Sequence, residues 1–400
     1  MFQTSPISQR VAHVEESATL AIDAKAKALK ASGIDVIGFG AGEPDFPTPE
    51  FIVEAAVKAA RDPKNHKYTP AIGLIELREA ISAKTSRDSK LEVSPNQIIV
   101  TNGGKHAIFN TIMTLVDEGD EVLIPSPFWT TYPELVKLAG GIPIKIPTSY
   151  EMGYKVTPQI IETYFTNRTK MFIHVSPSNP TGVLYSREET RELGEFLLGK
   201  GIWVMTDEIY EHLTYDGHTS TSLLEVVPDL RENTVIVNGV AKTYAMTGWR
   251  IGWMISPKEV HRAASNLQSQ MTSNISNVSQ RAAQAALEAD LSSVTAMRNA
   301  FDRRRKTMVS MLSEIHGFRT LVPEGAFYVF PEVSGVFGRE IAGKTINSSM
   351  DLTEVILDQA KVAVVPGEAF GSPGHLRLSY ALSDESLVEG LQRIQKLLGS

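Results

Sequence analysis

Four short stretches of this sequence concentrate residue types that can do chemistry, and each follows a run that reads as a buried strand. Thr101-Asn-Gly-Gly-Lys105 separates an apolar run from a helical pattern. Its two glycines let the backbone approach a ligand closely, and a helix start offers free N–H groups and the positive end of a dipole, which suits a phosphate; an ordinary strand-to-helix turn would look the same. Ser176-Pro-Ser-Asn-Pro-Thr-Gly182 presents the Asn179 amide from a Pro-flanked loop, although turn chemistry alone accounts for Pro and Gly there. Asp207-Glu-Ile-Tyr210 closes another strand; a buried carboxylate needs a cationic or donor partner, unless Asp207 only caps a helix. Asn238-Gly-Val-Ala-Lys242, then Thr247-Gly-Trp-Arg250, puts a lysine just past a strand. Desolvated, it is a Schiff-base nucleophile; solvated, it is a surface lysine.

The elements that must position these residues alternate. Strands are expected at Ile98–Thr101, Glu121–Ile124, Ile142–Ile146, Lys170–Val175, Ile202–Thr206, Thr234–Asn238 and Arg250–Ile255. Helices are expected over Gly104–Val116, near Tyr132–Leu138 and Arg187–Leu198, and after Pro257. Repeated βαβ units imply an α/β fold with a mostly parallel sheet between helices. In such sheets ligands bind at the C-terminal ends of the strands, where all four stretches fall. The two ends read differently: one helix over 18–35 ended by Gly33, a Pro-rich junction at Glu43–Pro49, and short strands at Ala326–Phe330, Val362–Val365 and Leu376–Tyr380 among long helices. The expected organisation is an N-terminal arm (1–17), a smaller α/β domain from both termini (18–46 plus 291–400), and a large domain (47–290), with a cleft between them.

Composition narrows the function classes. The 400 residues are 42% hydrophobic and 21% charged, as in globular proteins. No apolar run approaches a membrane span, and MFQTSPISQR lacks the basic start and apolar stretch of a secretory signal. With no cysteine, disulfides, thiolate metal sites and cysteine nucleophiles are excluded, which fits a reducing cytoplasm. A net charge of −7 makes a poor nucleic-acid binder. The basic run Arg303–Lys306 lies in a helical pattern and reads as a solvated face.

Together, in this order, the motifs resemble the fold-type I pyridoxal 5′-phosphate (PLP) enzymes, and within them the class I aminotransferases. The resemblance rests on GAGEPDFPTPE (40–50), KYTPAIGLIELREAI (67–81), TNGGKHAIFN (101–110), PSPFWTTYPE (125–134), SPSNPTG (176–182), DEIYEHL (207–213), AKTYAMTGWRIGW (241–253) and HLRLSYA (375–381), nearly the whole chain. It is nearest to a bacterial aspartate aminotransferase subgroup, some of whose members also accept prephenate. The fold so implied is that of a fold-type I PLP-dependent transferase.

The resemblance implies roles residue by residue. Lys242 would form the Schiff base with PLP and shuttle the proton; Asp207 would pair with the pyridine nitrogen; Tyr210 and Asn179 would hydrogen-bond the ring 3′-oxygen. Trp129 would stack on the ring and border the substrate. Gly103 and Gly104, with Arg250, would hold the phosphate, and Lys105 would reach past it to a distal carboxylate or add charge to the phosphate site. Arg377, helped by Asn179 and the Gly42 N–H, would grip the α-carboxylate. Tyr68 would cross to a neighbouring subunit's phosphate, implying a homodimer with shared sites. The expected reaction is reversible amino transfer between L-aspartate and 2-oxoglutarate, with small amino and keto acids as the partners, no metal, no nucleic acid and no membrane.

Two departures bear on this expectation. Many relatives carry hydroxyl residues where this chain has Ala241 and Gly239, so phosphate binding would lean on Arg250 and backbone groups. Prephenate users tend to have lysine and proline before the Ser-Ala-Thr near the N-terminus, whereas Glu15-Glu16 precede Ser17-Ala18-Thr19 here. A bifunctional aspartate/prephenate enzyme, another transaminase of broader specificity, and a PLP-dependent lyase or synthase on the same fold stay as alternatives. A PLP-sensing transcription regulator would need a DNA-binding module, and motifs that begin by residue 40 leave no room for one.

Overall fold

The structure, a computed structural model, describes residues 7–12, 14–16 and 18–399; much of the expected arm, including residues 1–6, His13 and Ser17, lies outside the described residues. Seven strands form the central sheet: β1 (Ile98–Thr101), β2 (Glu121–Ser126), β3 (Ile142–Pro147), β4 (Thr169–Val175), β5 (Trp203–Asp207), β6 (Thr234–Gly239) and β7 (Gly252–Ile255). Their spatial order is β1-β7-β6-β5-β4-β2-β3. The block from β3 to β6 is parallel, and β7 runs antiparallel to both β6 and β1.

Apart from the edge strand β3, whose residues are mostly exposed or half-buried, both faces of the sheet are buried, so its strands read as near-continuous apolar runs. Alternate residues nonetheless go to opposite sides, as the two-residue strand period requires. Leu123, Phe172, Val204, Ile236 and Trp253 join one core with Leu77 and Ile81 of the helix Ile75–Ser89 and Ala282 and Ala286 of Asn277–Glu288. Val122, Ile173, Met205, Val235 and Met254 join a second with Ile108 and Ile112 of Gly104–Leu115 and Val260 and Ala264 of Lys258–Met271.

A further core draws on both ends of the chain. Ile37 and Phe39 pack with residues from Met297 to Leu398, and Tyr210 and Leu213 from the loop after β5 reach into it. Its frame is the helices Ser292–Ser313 and Asp384–Leu398 and a three-stranded antiparallel sheet of Val365–Pro366, Leu376–Ser379 and Tyr328–Val329. Ile37–Gly38 pairs in parallel with Val362–Ala363, tying the N-terminal segment to the C-terminal third.

The structure corrects several expectations. The helix over 18–35 ends at Ala31, two residues before Gly33, which sits at φ +85°. The strand expected at Arg250 starts at Gly252, because Arg250 takes the left-handed conformation (φ +57°) and turns its side chain back toward the helix at Gly104. Val362–Val365 splits into two short strands with different partners, and of Ala326–Phe330 only Tyr328–Val329 pairs. The run Arg303–Lys306 is only in part a solvated face: Arg303 and Lys306 are exposed, whereas Arg304 and Arg305 are buried. Arg305 is buried, with its guanidinium 2.6 Å from Asp302 and 2.7 Å from Asp216. Arg304 bridges Asp45 and Asp384 at 2.9 and 2.7 Å. Burial is tolerable because each charge meets a carboxylate. Among the described residues no helix is long and apolar enough to cross a membrane.

Candidate active site

A cavity of about 420 Å³ opens at the sheet edge where β1, β4, β5 and β6 end, and residues of the terminal core close its far side. Because β7 is antiparallel, its start lies on that same edge, which brings Arg250 to the cavity.

One end of the cavity is built for an anion. Gly103 caps the helix Gly104–Leu115 at φ +82°, and a Cβ there would fall 2.5 Å from Arg250 Nη2. Gly252, paired across the sheet with Gly239 and Thr101, would put a Cβ 2.5 Å from the Gly104 nitrogen. Backbone, helix start and guanidinium thus converge only because these positions lack side chains. Gly239 is also closely held, though less tightly, its Cβ position 3.0 Å from the Ile251 carbonyl oxygen. Arg250 is fixed by donating to the carbonyls of Thr247 (2.9 Å) and Asn102 (3.2 Å). The Lys105 ammonium lies 5.0 Å from the Trp129 ring centroid; burial and the Arg250 charge lower its proton affinity.

The middle of the cavity holds an acid and a base. Asp207, at the end of β5, is 5% exposed and accepts hydrogen bonds from Tyr132 Oη (2.7 Å) and the Ile209 N–H (3.2 Å). Burial raises its pKa against those bonds and the Lys242 charge. Among the described residues no cation lies within hydrogen-bond reach of it, so a buried carboxylate faces the cavity short of a positive partner. Lys242 follows β6, and its ammonium donates to the Gly42 carbonyl. Burial, assisted by Arg377 and Arg250, pushes its pKa down to about 8, while Glu43 and Asp207 oppose the shift.

The far side carries a buried guanidinium. Arg377, on the strand Leu376–Ser379, is 2% exposed. It donates to Asn179 Oδ1 (3.0 Å) and the Gly40 carbonyl (2.8 Å), and its Nε is buried with no hydrogen-bond partner among the described residues. Its guanidinium carbon lies 4.5 Å from the Tyr328 ring centroid and 5.0 Å from that of Phe370. Tyr210 Oη lies 3.0 Å from Tyr328 Oη.

Gly42, Gly104, Lys105, Trp129, Asn179, Asp207, Tyr210, Lys242, Arg250 and Arg377 all line this one cavity, with Gly103 directly behind it. Tyr68 does not line it: its side chain is 92% exposed. Sequence reasoning missed Tyr132 and Tyr328. Tyr132 lies inside the PSPFWTTYPE stretch and Tyr328 on an expected strand, but only the fold aims one hydroxyl at Asp207 and the other at Tyr210. Asp88, Glu211 and His212 form a group spaced like metal ligands; the Lys84 ammonium, 2.5 Å from Glu211 and 3.6 Å from Asp88, takes the cation's place there.

Comparison with known proteins agrees with this geometry. Residues 34–394 match the family described as aminotransferase class I and II. An aspartate aminotransferase of Streptomyces avermitilis is 58% identical over 98% of this chain and 96% of its own length. A probable aspartate/prephenate aminotransferase of Aquifex aeolicus is 46% identical over 98% of each. The crystal structure of the aspartate aminotransferase from Rhizobium meliloti superposes with a TM-score of 0.95 at 40% identity, covering 99% of both chains.

Proposed function

The chain belongs to the class I and II aminotransferases, and from that premise we propose that it is a PLP-dependent aspartate aminotransferase, moving the amino group of L-aspartate to 2-oxoglutarate with release of oxaloacetate and L-glutamate. The observation that carries this reading is the pairing, in one cavity, of a buried carboxylate short of a cation (Asp207) with a lysine pushed down to about 8 (Lys242). The cofactor supplies, when bound, an electron-withdrawing ring that spreads the negative charge left at the substrate Cα.

The residues present fit that group. Asp207 would gain the cation it lacks by holding a proton on the ring nitrogen, and Tyr132 keeps the carboxylate oriented. The N–H groups at Gly104, the open backbone at Gly103 and the Arg250 fork meet the phosphate. Trp129 would cover a ring face, and Tyr210 and Asn179 would reach the 3′-oxygen. Lys242 would anchor the cofactor, and its neutral Nζ would take the proton from the substrate Cα and hand it on toward the cofactor. The clamp of Arg377, Asn179 and the Gly42 N–H orients the α-carboxylate, and Lys105 reaches the distal carboxylate of aspartate or glutamate. Tyr68, exposed on its own chain, completes the phosphate site of a partner copy, which makes the enzyme a homodimer with shared sites.

A second reading, use of prephenate as amino acceptor, is favoured by the 46% identical relative and opposed by the exposed acids Glu15 and Glu16. Steady-state kcat/KM for L-aspartate, L-glutamate and L-alanine with 2-oxoglutarate or oxaloacetate, and for prephenate as acceptor, separates the readings. Acidic donors should exceed alanine by about 100-fold, the worth of one charge-assisted contact, with prephenate far below 2-oxoglutarate. Alanine on a par with aspartate would refute the assignment.

A further inference from the structure

We propose that Tyr328 is a positioning residue that couples the carboxylate clamp at Arg377 to Tyr210, so that filling the clamp changes how strongly Tyr210 donates toward the cofactor's ring oxygen. The proposal rests on the PLP reading above and adds a residue and a linkage to it.

Tyr328 is fully buried on the short strand Tyr328–Val329, and it lines the cavity. It touches both halves of the site. Its ring lies under the Arg377 guanidinium at 4.5 Å, and its hydroxyl is 3.0 Å from that of Tyr210. The two tyrosine rings meet edge to face, centroids 6.0 Å apart at 82°, so the hydroxyl pair is held by packing on both sides. The strand of Tyr328 pairs directly with that of Arg377, Leu378 opposite Val329 and Ser379 opposite Tyr328. Clamp and tyrosine are therefore positioned by one small sheet, whereas Tyr210 is carried by the loop after β5.

The direction of the hydroxyl–hydroxyl bond follows from charge. The charged groups facing the pair are Arg377 from the strand Leu376–Ser379, Asp207 at the end of β5 and Lys242 after β6. Burial raises the pKa of both hydroxyls and the Arg377 charge opposes it at both, but the guanidinium lies against the Tyr328 ring itself, which favours Tyr328 as the donor and Tyr210 as the acceptor. The Tyr210 hydrogen is then left for the ring oxygen, and a hydroxyl that accepts one bond donates the next more strongly. A carboxylate bound at Arg377 cancels much of that cation's field. Tyr328 becomes a poorer donor, Tyr210 donates less to the ring oxygen, and the nitrogen linking Lys242 to the cofactor holds its proton to higher pH. Binding of substrate at one side of the cavity is thereby converted into a change of proton affinity at the reacting side, through two hydroxyls and no moving part.

The test uses purified holoenzyme and the pH titration of the cofactor's visible absorption, with and without saturating succinate, a dicarboxylate with no amino group to react. In the wild type, succinate should raise the midpoint by about one pH unit. Tyr328→Phe keeps the ring under Arg377 and removes only the hydroxyl. Its midpoint without succinate should already be raised by about half a unit, and the succinate-induced increment should fall to half or less. In a Tyr210→Phe background, adding Tyr328→Phe should change neither quantity, because the route runs through Tyr210. A Tyr328→Phe titration identical to wild type, or an effect undiminished in the Tyr210→Phe background, overturns the linkage. Wild-type protein with no titrating visible band would instead overturn the PLP reading, so the two failures are distinct.

Discussion

At the scale of single residues the chemistry lies in how the fold changes ordinary side chains. Asp207 and Lys242 stood out in the sequence because each follows a buried strand, and the structure gives the reason for their reactivity: each is desolvated, which raises the acid and lowers the base. Their supports were not legible, since nothing in the spacing of Tyr132 or Tyr328 says that the first turn of a helix and a short strand will aim their hydroxyls inward. Replacing Asp207 by Ala should lower kcat by two orders of magnitude or more, since a directed charge of this kind is worth on the order of 3 kcal/mol; activity within a few-fold of wild type would make it a mere cap. Lys105→Ala separates two roles for that ammonium. If it serves substrate, kcat/KM for aspartate should fall about 10- to 100-fold while alanine turnover and PLP affinity barely change. Equal losses on both donors, with weaker PLP binding, would assign it to the phosphate instead.

At the scale of elements, the alternation of apolar runs and helical patterns was enough to place all seven central strands within a few residues. Two features were beyond it. The antiparallel course of β7 is set by partners far apart in sequence, yet it is what delivers Arg250 to the same edge as Asp207. The burial of Arg304 and Arg305 depends on Asp45, Asp216, Asp302 and Asp384, most of them distant along the chain, so the run looked like a solvated face. The β5 edge also carries a liability in Glu208, next to Asp207. Burial, with the Glu211 charge adding to it, pushes its pKa up to about 7, against hydrogen bonds from Ser222 and Thr206 and the Lys84 charge. The native state therefore keeps this proton to higher pH than the unfolded chain, whose glutamate titrates near 4.5. Stability is full below that value and is lost as pH rises toward 7, by about 2–3 kcal/mol. Denaturant titrations between pH 4 and 8 should show that decline in the wild type and a flatter profile in Glu208→Gln; identical profiles would mean that Glu208 ionises as if solvated.

At the scale of the whole molecule, the cavity closes only because residues from both ends of the chain meet the sheet edge, with Gly42 and Arg377 more than three hundred residues apart lining one space. The motifs announced these residues; their convergence needed the three-dimensional structure, and under the proposed dimer the place of Tyr68 needs a second copy. If sites are shared, mixing Lys242→Ala subunits with Tyr68→Ala subunits under exchange should restore activity to about a quarter of wild type, since half the dimers are hybrids with one intact site each; a mixture no more active than its parents would place Tyr68 outside the site. Transamination through Lys242 makes its sharpest demand on the half-reaction. Holoenzyme mixed with L-aspartate and no keto acid should release one oxaloacetate per subunit and no ammonia, with the cofactor's visible band lost in step, and Lys242→Ala protein should release none on that timescale. Ammonia in place of oxaloacetate, continued turnover without a keto acid, or an unimpaired Lys242→Ala burst would contradict it.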